Sequence, residues 1–183
     1  VGAALASPAA RRVDGGHQQP LHLEEIEALF ASDALVIDAC RRGLRHGGIW
    51  RPLARRPVLF ALVRALAEAW PNDVHRDELI TRVFRIRRPD ETHRARLRVE
   101  IGRLRALAAP MAHIDATTSG FSFTPCNEQA VVVLVPPIDG EQASLLALLG
   151  DGAAWSTSAL AQTLGDSQRT VQRALAELEV EGR

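Results

Sequence analysis

HRARLRVEIGRLRALA, residues 93–108, is the stretch whose reading decides the fold. Leu97, Ile101, Leu104 and Ala108 recur at helical spacing, so they share the face a surface helix turns to its core. Arg96, Val99, Glu100 and Arg103 lie largely on another face. With Arg94, Arg98 and Arg105, the segment 94–105 holds five arginines against one acid. Like charges at this density repel one another. The helix therefore reads as a solvated basic face or as an element that meets a polyanion.

Working outward, two further helices precede it. PVLFALVRALAEAW (57–70) opens with Pro57, whose missing N–H costs nothing in a first turn, and turns Leu59, Leu62, Val63 and Leu66 inward. HRDELITRVF (75–84) buries Leu79, Ile80 and Val83, and an Arg/Pro/Asp loop fills 85–91. After Pro110, residues 112–124 alternate as a hairpin punctuated by Gly120. Upstream, residues 34–53 read as two β-rich runs around His46-Gly47-Gly48, a hairpin signal. Residues 21–33 hold a short amphipathic helix, with Leu23, Ile26, Leu29 and Phe30 at helical spacing. Residues 1–20, rich in Ala, Gly, Pro and Gln, read as a poorly ordered arm.

Downstream, residues 126–137 read as a short strand and a linker broken at Pro136-Pro137. Residues 138–183 give three more helices, ending in SQRTVQRALAELEVEG. Ser156 and Ser167 stand at cap positions, Gly165 makes the tight turn between, and Val171, Leu175 and Leu178 face Leu160 and Leu164. The order hairpin, three helices, hairpin is that of a winged helix-turn-helix, so the expected fold class is α+β, mainly α: tandem winged helix-turn-helix domains with small β-hairpins.

Composition narrows the function. Net charge is zero, yet residues 35–125 carry 17 Arg against 9 acids, while 126–183 carry 3 against 8. Lysine is absent, so the basic middle is either a nucleic-acid footprint or the habit of an arginine-rich proteome. Cys40 and Cys126 stand alone, which suggests reduced, buried thiols in a cytoplasmic protein rather than a disulfide. No apolar run reaches membrane-spanning length, so no membrane partner is expected. The sequence shows no Gly-rich phosphate loop, no Ser-His-Asp candidate and no metal-spaced histidine pair. Neither an enzyme, a cofactor nor a metal site is expected.

Residues 34–125 resemble the winged-helix DNA-binding domain of OmpR-type response regulators. The matching features are RPVLFALVRALAE, VHRDELITRVF, the third-helix pattern Ile101-Gly102-Arg103-Leu104-Arg105, and the wing Thr118-Ser119-Gly120-Phe121. A Gly in that wing would suit a positive φ. His75 stands where a Ser or Thr cap is usual, and Gly102 interrupts the third helix at about 1 kcal/mol relative to Ala. No receiver-type segment is legible, so two-component control is not carried over.

The resemblance implies a bacterial transcription regulator binding double-stranded DNA, with the 93–108 helix in a major groove. Arg96, Val99, Glu100 and Arg103 would face bases, Arg94, Arg98 and Arg105 phosphates, and Thr118 and Ser119 the wing contact. Residues 138–183 resemble the helix-turn-helix of DeoR-like repressors, with the wing that would follow Gly182 missing. They offer Ser167, Gln168, Arg169, Gln172 and Arg173 to DNA, or else a dimerisation or docking surface. A homodimer, RNA polymerase as a partner and a nucleoid location in the cytoplasm complete these expectations. The rival readings are a plasmid replication initiator and a tandem winged-helix protein-interaction scaffold.

Overall fold

A computed structural model describes residues 8–14, 17–127, 130–137, 145, 149, 155–164 and 167–180. The chain divides into two units, 1–135 and 136–183, each described by itself. The class is mixed α/β, and the share of sheet exceeds what a mainly α fold with small hairpins would carry. Nine strands and six helices lie among the described residues.

The first unit holds a six-stranded sheet of order β2-β1-β9-β3-β4-β5. Its outer pair is β1 (Ala10–Asp14) and β2 (His17–Leu21). Next in sequence come helix α1 (Leu23–Ala31), then β3 (Leu35–Asp38), β4 (Gly43–His46) and β5 (Ile49–Pro52). Much of the expected arm is therefore a strand pair, and residues 1–7 lie outside the described residues. Composition missed it because β9, the strand that joins this pair to the rest of the sheet, is distant in sequence. Arg11, Arg12 and Val13 pair with Val135, Leu134 and Val133 of β9 (Val131–Val135).

The short strand expected within 126–137 is β9, and it lies inside the sheet: it pairs parallel to β3 on one side and antiparallel to β1 on the other. All five of its residues are buried. Leu35, Ile37, Leu44, Val131, Val133 and Val135 join the helical core on one sheet face. Val36 and Leu134 meet Ile26 of α1 on the other, as the alternation of strand side chains requires. Residues 34–53 form three strands, not two. The first turn carries Arg42 at φ 55°, and the second is Gly47-Gly48 at φ 52° and 81°, where glycine removes the strain.

The helical half follows as α2 (Pro57–Ala69), β6 (Val74–His75), α3 (Arg76–Phe84), α4 (Glu91–Ala108), β7 (Ala112–Ala116) and β8 (Gly120–Pro125). α2 is the buried centre, with Leu59, Phe60, Leu62, Val63, Ala65, Leu66 and Ala67 all inside. His75 does cap α3: its Nδ1 accepts from Asp77 N at 3.2 Å. α4 starts two residues before the expected His93. Asp90 accepts from His93 N at 3.0 Å, and His93 Nδ1 accepts from Asp90 N, closing a reciprocal cap. The strands β6, β8 and β7 form a separate small sheet.

Gly120 is required for a different reason than the expected positive φ. A Cβ there would stand 1.7 Å from the Val74 carbonyl oxygen, so β6 and β8 pair closely only around glycine. The cysteines also differ from expectation. Both are exposed, Cys40 in the β3–β4 turn and Cys126 just past β8.

In the second unit, α5 (Thr157–Leu164) and α6 (Gln168–Val180) pack around Leu145, Leu160, Ala161, Val171, Ala174 and Leu178. Leu175 is only partly buried, and Ala174 takes the inner position. Most of the expected first helix, and the turn at Gly165, lie outside the described residues.

Candidate nucleic-acid interface

The candidate surface is built on α4. Leu97, Ile101, Leu104 and Ala108 are buried, and that anchoring sets where every other side chain falls. At about 100° per residue, Thr92, Ala95, Val99, Gly102 and Ala106 form the outermost ridge, and all five are exposed. Arg96 and Arg103 flank the ridge on one side, Arg98 and Arg105 on the other, with Arg94 nearer the core.

The five arginines are engaged within the first unit. Arg94 forms two hydrogen bonds to Asp77 of α3, at 3.1 and 3.2 Å, and these hold the Asp77 carboxyl below its ordinary range. The Asp77 carboxylate in turn raises the Arg94 guanidinium above its usual value. Arg98 donates to Glu91 at 2.8 Å and Arg103 to Glu100 at 2.9 Å. Arg96 stacks over the Phe84 ring, 4.4 Å from its centroid. Arg105 donates through Nε to the Ile114 carbonyl at 2.6 Å, clasping α4 to β7. The charge that looks uncompensated in sequence is thus met by Asp77 and Glu91 as well as by Glu100. Arg94, Arg98 and their carboxylate partners are exposed and screened by water, so a phosphate can displace those carboxylates at little cost.

The expected base-facing set is rearranged. Val99 stands on the ridge and is 54% exposed. The Glu100 side chain, only 14% exposed, is turned toward the core side. With Arg103 it borders a cavity of about 500 Å³ whose other walls are Arg56, Pro57, Val58 and Leu59. Glu100 is therefore off the outward face, and Arg56 adds a cation beside Arg103. Arg56 escaped the sequence reading because its neighbour is 47 positions away.

The hairpin tip is folded back onto the unit. Ser119 Oγ and Thr117 Oγ1 both donate to Asp73 Oδ2, at 2.6 and 2.5 Å, and these bonds hold the Asp73 carboxyl below its ordinary range. Arg76, at the start of α3, donates to the carbonyls of Thr117 and Thr118 at 2.9 Å each. Thr118 and Ser119 are exposed, but the Ser119 hydroxyl is committed to Asp73.

In the second unit, Ser167 Oγ accepts from Thr170 N at 3.1 Å, so this hydroxyl caps α6. Ser156 caps α5 in the same way through Ala159 N. Gln168, Arg169, Gln172 and Arg173 are all exposed on α6. The structure thus groups the expected residues into one set on α4, one on the β7–β8 turn and one on α6.

No helix among the described residues is long and apolar enough to cross a membrane. Neither a family model, a curated protein nor a solved structure matches the chain.

Proposed function

We propose that residues 57–125 are a winged helix-turn-helix, with α3 and α4 as the helix pair and β7–β8 as the wing. The protein then acts as a bacterial transcription regulator that binds double-stranded DNA with α4 in the major groove. The observation that carries this reading is the outward face of α4: an exposed ridge bordered by two rows of arginine. The packing of α5 on α6 supports a second helix-turn-helix with Gln168, Arg169, Gln172 and Arg173 outward, facing DNA or a partner protein. A homodimer, contact with RNA polymerase and a nucleoid location belong to the same proposal.

A gel shift with the full chain on random and on selected duplexes tests it. Binding that weakens steeply with salt is expected, since arginine–phosphate contacts release counterions. Binding to no duplex would refute it. A second reading, a protein-interaction scaffold, is favoured by the carboxylate partners of Arg94, Arg98 and Arg103. It predicts no salt-sensitive DNA binding but a defined complex in solution-mass measurements. Selected sites iterated near an origin rather than at promoters would indicate a replication initiator.

A further inference from the structure

We propose that α4 selects thymine-rich duplex through methyl contacts made by its outer ridge, and that its arginines hold phosphates rather than read guanine. This rests on the DNA-binding reading above and concerns the same helix.

The ridge of Thr92, Ala95, Val99, Gly102 and Ala106 is the part of α4 farthest from Leu97, Ile101 and Leu104. Apart from Thr92, none of the five has a side chain that can form a hydrogen bond. Val99 is the one large apolar side chain exposed on it, and a Cβ added at Gly102 would meet nothing within 4 Å. A base edge meeting this ridge therefore meets methyl groups and backbone. In the major groove only thymine presents a methyl of its own. Every base pair brings acceptors and donors to this groove, so the thymine methyl is the one feature this apolar stretch of ridge can favour.

Arg96 and Arg103 form one row, Arg98 and Arg105 the other, and members of each row stand about 10 Å apart along the axis. A helix with its side chains is about 10–12 Å across, close to the roughly 12 Å major groove. With the ridge at the groove floor, the two rows lie toward the two phosphate backbones, where cations position without specifying. This charge complementarity on both sides of an apolar ridge commits the face to a duplex.

The test uses the full chain to select sites from a randomised duplex library. The selected duplexes are then resynthesised with deoxyuridine in place of thymine. Thymine-rich sites are expected, and each lost methyl contact should weaken binding about fourfold. Val99→Ala, at an exposed helical position, should shrink the thymine–uracil difference without lowering the melting temperature. Equal affinity for the thymine and uracil duplexes would overturn the proposal. So would guanine-rich sites whose affinity falls when deazaguanine replaces guanine. Absence of salt-sensitive binding to any duplex in the library would overturn the DNA-binding reading itself.

Discussion

Arg105 Nε donates to the Ile114 carbonyl oxygen at 2.6 Å, so the last turns of α4 and the first hairpin strand move as one piece. The bond is part-buried and charge-assisted, a class that contributes about 1.5–3 kcal/mol. Arg105→Leu should lower unfolding free energy by roughly that amount in a denaturant titration. If Arg105 served DNA alone, the titration midpoint would not move.

Two glycines should respond in opposite directions. Gly102→Ala is expected to stabilise the protein by up to about 1 kcal/mol, because the position is helical and open. Gly120→Ala should destabilise it by about 3 kcal/mol or more, since the new Cβ would overlap the Val74 carbonyl and force β6 from β8. Thermal melts of the two variants decide the matter, and equal shifts would contradict the packing described.

The hairpin tip carries a pH dependence of known sign. Hydrogen bonds from Ser119 and Thr117 depress the Asp73 carboxyl in the folded protein. Its contribution is therefore fully present above the unfolded value of about 3.9 and is lost as pH falls through the lower folded value. The Gly120 amide, which donates to Thr117 Oγ1 at 2.9 Å, is a suitable NMR reporter. Its titration midpoint should lie below about 3.9 and vanish in Asp73→Asn. A midpoint at or above the ordinary value would be inconsistent with the clasp.

The arginine rows make a quantitative demand on DNA binding. If Arg96 and Arg103 each meet a phosphate, replacing either with Gln should reduce the salt slope by about 0.9. The loss should be uniform across sequences. Conversely, Glu91→Gln removes the 2.8 Å partner of Arg98 and should tighten binding. Unchanged slopes in all three variants would remove these residues from the interface.

The strand β9 should decide whether the first unit folds. A piece ending at residue 125 lacks the strand that joins β1 to β3, whereas one ending at 135 retains it. Circular dichroism should show cooperative melting for the longer piece and not for the shorter. Equal melting would mean that the six-stranded arrangement is dispensable.

The sequence by itself determined what is local. Apolar spacing placed α2, α3 and the body of α4, the β7–β8 alternation placed the hairpin, and Ser156 and Ser167 marked two caps. Each of these signals lies within one element or its immediate flanks, where periodicity and turn chemistry act. The outward position of Val99 was legible for the same reason: it follows from Leu97, Ile101 and Leu104 being buried.

Tertiary structure alone decided the rest. The strand pair of β1 and β2 depends on β9, more than a hundred residues further along, and no local pattern announces that pairing. The partners of the arginines were equally out of reach. Asp77 lies 17 positions from Arg94, and Asp73 lies 46 from Ser119. Whether a cation is held by a carboxylate, a ring or a carbonyl depends on which elements pack beside it. That is why the five arginines of 93–108 become in space two rows of two beside an uncharged ridge, with Arg94 held on Asp77.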